Sequence, residues 1–415
     1  MKKKILIITT NSPYPLSHGG AIAQYFFLEK LVEDFEVDLI AILQNERDRQ
    51  NLFAIQNRIK NLKIITYLPS TKKKNIKYFL KLLFIFLYNH FWKQNRGESE
   101  ISESFNYVNS DFSNFIKNHF SENEYDICQL EFFETLKFAP LIPSSLKKIF
   151  VHHEIRFKKY RNTLDLNNIF HKNIVISSKI CEIAFLALFD KIIVFNSEDL
   201  TELNELLPKV EVIPFGLPDE LIINKNPSLG FQYFFFLGAE SHRPNSDGLE
   251  WFLDNIFIPE FKNINKPIKI SGKWSDKYIF KYAKYEFIQF TGFVNSLEQF
   301  YLEGILVAPI LSGSGIRTKI LEAMANHVPI ICTSFAAEGL FNENNNDHLL
   351  FFNDRISFME KVNNELNNLE TRKKIVKKAN IFFESNFNSL NIYNRRLNLY
   401  NTLISTDNLI EDINK

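Results

Sequence analysis

Cysteine is scarce. Cys128, Cys181 and Cys332 are the only three in 415 residues, and no two stand at a paired spacing. Disulfide frameworks and zinc sites both depend on such pairs, so neither is expected, and a reducing compartment is. Long apolar runs are missing too. No stretch approaches the roughly eighteen residues that cross a bilayer, and Met1-Lys2-Lys3-Lys4 leads into only a short apolar run before Asn11 and Ser12. Neither a spanning anchor nor a signal peptide is therefore expected, and the cytoplasm is the natural location. The loop after Thr10 carries no Gly-x-Gly-x-x-Gly, which argues against a nicotinamide dehydrogenase. Low-complexity tracts and short-period repeats are also missing.

What is present is uneven. The net charge is +1, yet the ten basic residues between Gln56 and Arg96 (Arg58, Lys60, Lys63, Lys72, Lys73, Lys74, Lys77, Lys81, Lys93, Arg96) meet no Asp or Glu there. The remainder of the chain is correspondingly acidic. Within this stretch Ile76 to Trp92 reads IKYFLKLLFIFLYNHFW. It is too short and too charged to span a membrane, but cations flanking aromatics suit residues 72–93 to an anionic membrane interface, hence a peripheral position on the inner face of the cytoplasmic membrane. A buried helix of the first domain accounts for the same residues. A nucleic-acid partner is not expected, because no nucleic-acid module accompanies the patch.

Short β-branched and aromatic runs recur along the chain with helical patterns between them. Lys3–Thr9, Glu36–Leu43, Leu62–Leu68, Tyr125–Leu130, Lys148–Val151 and Lys191–Phe195 form one series. Tyr233–Gly238, Ile268–Gly272, Ile288–Gly292, Ile305–Pro309 and Val328–Thr333 form a second. Alternation of this kind predicts parallel sheets covered by helices on both faces. The chain is longer than one core usually fills, and Val212-Ile213-Pro214-Phe215-Gly216 offers a break between the series. We read an α/β protein of two doubly wound, Rossmann-like domains, residues 1–215 and 216–385, with a helical tail over 386–415 packing back toward the first. Such sheets bind ligands at the carboxyl ends of their strands, and two of them facing each other would make a cleft.

The most informative segment is Leu311 to Leu340, LSGSGIRTKILEAMANHVPIICTSFAAEGL. Gly313 and Gly315 form a loop after an apolar strand, and a helix follows with Arg317 and Lys319 at its mouth. Unpaired backbone N–H groups, a positive helix end and an Arg fork together suit a pyrophosphate. Glu322, one turn in, is placed to accept from a ribose diol. A glycine loop that only turns the chain, flanked by solvated charges, is the plainer reading of the glycine pair alone.

This segment resembles the donor-site motif of the GT-B glycosyltransferases, in particular family 4 (glycosyl transferases group 1), whose loop and helix take the form GSGxRxKxLEAMAxxxPVxxTxxAxEGL. Gly313-Ser314-Gly315, Arg317, Lys319, Leu321-Glu322-Ala323-Met324-Ala325, Pro329, Thr333 and Ala337-Glu338-Gly339-Leu340 all match. Leu237-Gly238-Ala239-Glu240 with Pro244-Asn245-Ser246-Asp247-Gly248 resembles the opening of the donor domain. Phe290-Thr291-Gly292-Phe293-Val294 resembles the turn that meets the base, and Tyr14-Pro15 with Gly19-Gly20 resembles the first acceptor-domain loop. The resemblance implies a GT-B fold with an acceptor domain followed by a donor domain. It further implies donor-binding roles for Gly238, Asn245, Val294, Gly313, Ser314, Gly315, Arg317, Lys319 and Glu322, and a loop role for Gly19 and Gly20. Two positions depart from the pattern. Ser314 stands where members commonly carry a glutamate, and His242-Arg243 stands where they commonly carry an Arg and a Lys.

In the first domain Glu131 follows the strand YDICQL, and His152-His153-Glu154-Ile155-Arg156 follows KKIFV. Polar groups at carboxyl strand ends are placed to orient an acceptor hydroxyl or take its proton, so His153 and Glu131 are the candidate catalytic pair; solvated loop residues are the alternative. The expectation is a retaining glycosyltransferase moving a sugar from a nucleotide-diphosphate sugar to a glycan or lipid-linked acceptor, in cell-surface polysaccharide synthesis. No cofactor is expected beyond the donor itself. No metal is expected either: there is no Asp-x-Asp pair of the kind GT-A enzymes use, and Arg317 and Lys319 would take that part. A nucleotide-sugar 2-epimerase and a non-catalytic GT-B partner subunit are the alternatives.

Overall fold

The computed structural model describes residues 2–43, 46–69, 108–207, 209–223, 229–294, 296–313, 315–340 and 347–413. Ser314 and the segment 72–93 lie outside the described residues. The chain divides into two compact units. The first comprises Met1–Val194, Asp199–Ile213 and Arg395–Lys415; the second comprises Phe195–Glu198 and Pro214–Asn394.

In the first unit, seven strands form one sheet: β1 Lys4–Thr9, β2 Glu36–Ile42, β3 Leu62–Tyr67, β4 Ile127–Glu131, β5 Lys147–Val151, β6 Lys191–Val194 and β7 Val210–Val212. All pairs are parallel, in the order β3-β2-β1-β4-β5-β6-β7. The second unit repeats the plan with β8 Tyr233–Leu237, β9 Ile268–Ser271, β10 Ile288–Gly292, β11 Gly304–Ala308, β12 Ile330–Cys332 and β13 Leu350–Phe351, ordered β10-β9-β8-β11-β12-β13. Both are the doubly wound arrangement. The strand order reverses at β1/β4 and at β8/β11, and crevices at such reversals are where these sheets bind ligands.

The central strands read as unbroken apolar runs because both faces are covered. Ile5 to Ile8 and Phe234 to Phe236 are fully buried. Phe234 meets Phe257 and Phe358 from the covering helices, at ring separations of 6.1 and 5.6 Å. Each such ring contributes roughly 1.5–3 kcal/mol relative to exposure. Two strands escape the sequence reading. β7 and β13 are only three and two residues long, and as edge strands with one neighbour each they need no long apolar run. Among the described residues no helix is long and apolar enough to cross a membrane.

Candidate functional site

In the second domain three carboxyl strand ends crowd together, and glycine makes this feasible. The Gly238 N–H donates to the Ser271 carbonyl at the end of β9, and the Gly272 N–H donates to the Gly292 carbonyl at the end of β10, both at 2.9 Å. A Cβ on Gly272, at φ +134°, would lie 2.2 Å from the Gly238 oxygen; one on Gly238, at φ +157°, would lie 2.6 Å from Asn245 Nδ2. Neither backbone conformation nor space admits a side chain. Asn245 sits in the first turn of the helix Arg243–Phe252 and is buried. Its Nδ2 donates to the Ala239 carbonyl (3.1 Å), and its Oδ1 accepts from Lys319 Nζ (3.0 Å). One turn on, Gly248 lies so close to the chain leaving β11 that a Cβ would meet the Pro309 oxygen at 2.1 Å.

Lys319 belongs to the helix Thr318–Ala325, reached from β11 through Gly313 (φ +111°) and Gly315 (φ +78°). Arg317 is the N-cap residue and supplies no capping side chain. Its Nη1 instead donates to the Gly315 carbonyl (2.6 Å), with the guanidinium 5.6 Å from the Phe335 ring centre. The amide N–H groups of a first helical turn have no partner within the helix. The Lys319 ammonium lies 4.7 Å from the Phe236 ring centre. Glu322 accepts from the hydroxyl of buried Tyr301 at 3.4 Å.

The electrostatics of this group are strained in one direction. Burial, with Arg317 adding to it against an opposing pull from Glu322, brings the Lys319 ammonium down to about 7. Burial pushes Glu322 up to about 7, held back by the Tyr301 hydroxyl and Lys319. Burial thus opposes the charge on both Lys319 and Glu322, Arg317 disfavours the Lys319 ammonium, and Glu322 favours it.

In the first domain the polar side chains at the ends of β4 and β5 pair with one another or with buried neighbours. Glu131 ends β4 and is 3% exposed. Its Oε2 lies 3.0 Å from His153 Nε2, and its Oε1 accepts from Gln129 Nε2 at 2.5 Å. The His153 ring stacks on Phe132, centroids 3.9 Å apart and planes 13° apart. Phe132 itself sits at φ +70°, a conformation that costs a bulky residue about 1–3 kcal/mol and holds only where its surroundings impose it. Gly20, in the first turn of the helix Gly19–Asp34, clears that ring: a Cβ there would stand 2.7 Å from it. His18 caps the same helix, Nδ1 accepting from the Ala21 N–H at 3.2 Å, and burial and then His153 lower its pKa. His152 turns elsewhere. Its Nε2 is 2.8 Å from Glu182 Oε1, both side chains fully buried, and Glu182 accepts from the Arg156 and Phe157 N–H groups that open the helix Arg156–Thr163.

Residues 232–368 match the family model described as glycosyl transferases group 1. That match falls within the second domain. The fold of the whole chain is that of GT-B glycosyltransferases. Anabaena HepE, solved in complex with UDP, is 10% identical with TM-score 0.63, covering 97% of this chain and 100% of its own. TarM is 12% identical with TM-score 0.68, covering 97% and 99%. Sucrose-phosphate synthase from Thermosynechococcus elongatus is 13% identical with TM-score 0.64, covering 98% and 100%. A Klebsiella pneumoniae protein described as an uncharacterized 44.6 kDa protein in the cps region is 24% identical over 407 residues, 94% of this chain and 98% of that protein.

The group 1 domain brings Gly238, Asn245, Gly313, Gly315, Arg317, Lys319 and Glu322 into one neighbourhood. Val294 follows β10, half-buried beside Phe293, which is 79% exposed. His242 and Arg243 are exposed, and Arg243 pairs with Asp247 on its own helix at 3.1 Å. Glu131, expected among the catalytic residues, is the buried partner of His153. Tyr301, Phe335, His18 and Gln129 were not singled out from the sequence. His18 alone had a local signal, standing directly before Gly19-Gly20.

Proposed function

We propose that this chain is a retaining glycosyltransferase that moves a sugar from a nucleoside-diphosphate sugar to a hydroxyl of a glycan or lipid-linked acceptor in cell-surface polysaccharide synthesis. One observation carries the reading: inside the segment that matches the group 1 family model, Arg317 and Lys319 stand at the mouth of a helix that follows a glycine loop, with Lys319 held by Asn245. In support, HepE has been solved with UDP-glucose as well as UDP, and TarM with UDP. The cps region of the Klebsiella relative suggests the polysaccharide context.

In the proposed step the anomeric carbon–oxygen bond to the diphosphate breaks, its electron pair staying on the phosphate oxygen. Arg317, Lys319 and the helix end stabilise that charge without a metal ion. The acceptor oxygen bonds to the anomeric carbon, and His153 takes its proton. Glu131 holds the imidazole, and Glu322 accepts from the ribose. Calorimetry against a panel of nucleoside diphosphates, followed by donor-hydrolysis and transfer assays with and without chelator, tests the proposal. Failure of every diphosphate to bind would sink it. The alternative of a non-catalytic partner subunit draws on Ser314, which replaces the usual glutamate; turnover of any donor excludes it. The basic segment 72–93 supports a peripheral membrane role. Sedimentation with anionic vesicles at low salt, released as salt shortens screening to about 8 Å, is expected, and equal indifference to neutral and anionic vesicles would refute it.

A further inference from the structure

The helix Ile169–Leu186 of the first domain is apolar on two sides. Its inner side buries Ser178, Glu182 and Leu186, and Glu182 accepts there from the Arg156 and Phe157 N–H groups at 3.1 Å. On the outer side Ile169, Phe170 and Ile180 are 61, 60 and 64% exposed, and Ile176 is 47% exposed. At about 100° per residue, Ile169, Asn173, Ile176 and Ile180 share one line opposite the buried residues. Leu166 and Leu188, also exposed, carry the strip past both ends of the helix. Among the described residues no other helix exposes as many large apolar side chains. A contiguous apolar strip about 27 Å long marks a face that meets something.

The charge beside it decides what. Lys172 and Lys179 are exposed along one edge of the strip, while Glu182, the only carboxylate of the helix, points inward. Asp165, ahead of the helix, accepts from the Asn167 N–H at 3.0 Å. In the neighbouring helix Arg156–Thr163, Arg161 is held by Glu202 through two bonds of 2.8 Å. The spacing Ile169, Asn173, Ile176, Ile180, Ile183, Ala187 is that of a coiled-coil seam, which makes a second copy of this chain the rival occupant. Charge disfavours it. An antiparallel copy sets Lys172 and Lys179 against their own counterparts, and a parallel copy offers them only Phe170, Ser177 and Ala184. A surface that accepts apolar side chains and carries negative charge beside them answers both features.

We propose that the outer face of the helix Ile169–Leu186 lies flat on an anionic phospholipid bilayer, with Ile169, Phe170, Ile176 and Ile180 seated where headgroups meet acyl chains and Lys172 and Lys179 against the phosphates. The inference goes beyond the transferase reading and draws on none of the residues 72–93.

The full-length protein, sedimented with vesicles of phosphatidylcholine and phosphatidylserine, provides the test. Ile169→Ser/Ile180→Ser should weaken partitioning about tenfold or more at low and high salt alike, since two buried apolar side chains are lost. Lys172→Gln/Lys179→Gln should weaken it about fivefold per cation at low salt and little at high salt. Phe170→Trp, read as the difference from the wild type with its Trp92, Trp251 and Trp274, should emit further to the blue on vesicles and be quenched by brominated acyl chains. All five substituted side chains are exposed, so thermal unfolding like that of the wild type is expected, and nucleoside-diphosphate affinity, which belongs to the other domain, should not change. Lys72→Gln/Lys73→Gln/Lys74→Gln serves as the comparison. If that variant loses binding while the helix variants keep it, the helix face is overturned and the reading of segment 72–93 stands. An indole at position 170 that is neither shifted nor quenched overturns the proposal as well. So does a dimer in sedimentation velocity that Ile169→Ser/Ile180→Ser abolishes with vesicle binding intact, which would give the strip to a second copy.

Discussion

The polar side chains at the strand ends of the first domain pair with one another, whereas in the second Lys319 and Glu322 are buried with neutral partners, Asn245 and Tyr301. Glu131 has Gln129 and His153, His152 has Glu182, and buried Lys158 has Asp199 at 2.7 Å. In the second domain Arg317 adds to the burial that lowers Lys319, and Glu322 is pushed toward its neutral form. Apart from the extra edge strand β7 the two sheets share one strand order, so topology does not create the contrast. On the proposed reading the first cluster serves a proton and the second a multivalent anion, and the buried charges of the second are the ones an anion would shift.

The sharpest way to break this comparison is to remove a member from each side. His153→Ala should lower kcat by about a hundredfold or more, the usual contribution of a positioned base, while nucleoside-diphosphate affinity stays near the wild-type value. Turnover measured beside calorimetric binding separates the two, and loss of donor binding would give His153 a structural role instead. Arg317→Ala should act the other way, weakening nucleoside-diphosphate binding by roughly tenfold or more, since a charge-assisted contact contributes about 1.5–3 kcal/mol. Nucleoside affinity should barely move, and added chelator should change neither. If Arg317→Ala and Glu322→Gln both bound the diphosphate like the wild type, the donor site would be misassigned.

Glu322→Gln alone should have a smaller effect, about five- to tenfold for an ordinary hydrogen bond of around 1 kcal/mol or slightly more. It should fall equally on nucleoside and nucleotide, as for a contact to the ribose; a loss confined to the diphosphate would move Glu322 to the phosphates. The smallest effect is the one that tests the repulsion directly. Without ligand, burial and Arg317 hold Lys319 at about 7, and burial holds Glu322 at about 7. A bound anion favours the ammonium over the amine, so Lys319 takes up a proton on binding. Diphosphate affinity should therefore decline severalfold as pH rises from 7 to 9. Calorimetry in buffers of different ionisation heats should record the uptake. Proton release, or a flat profile, would mean that the cluster does not hold the anion.

The donor cluster was readable in the sequence to the extent that it is local. Gly313, Gly315, Arg317, Lys319 and Glu322 fall within ten consecutive residues of one loop and helix, so spacing alone brings them near each other. Asn245 came through resemblance, and the structure shows what it does, bridging Ala239 to Lys319. Tyr301 was hidden because nothing in a short amphipathic helix shows that its hydroxyl will meet Glu322. In the first domain His153 is marked by its place after a buried strand, and so is Glu131. Its burial and its two partners become apparent only when β4 and β5 lie side by side.

By itself, then, the sequence determined two doubly wound sheets, because strands buried on both faces must be apolar without interruption and their loops must turn on Gly, Pro and Asn. It also determined the cationic helix mouth, since a helix start and its first-turn residues are neighbours along the chain. Tertiary structure decided the ionisation of Lys319, which is buried against Phe236. It decided the short edge strands β7 and β13 as well, which exist only because a neighbouring strand supplies their partners. And it decided which side of the helix Ile169–Leu186 is covered: Ser178, Glu182 and Leu186 are buried, while Ile169 and Ile180 stay exposed. Burial depends on what packs against a side chain, and a helix that is apolar on two sides carries no record of which one that will be.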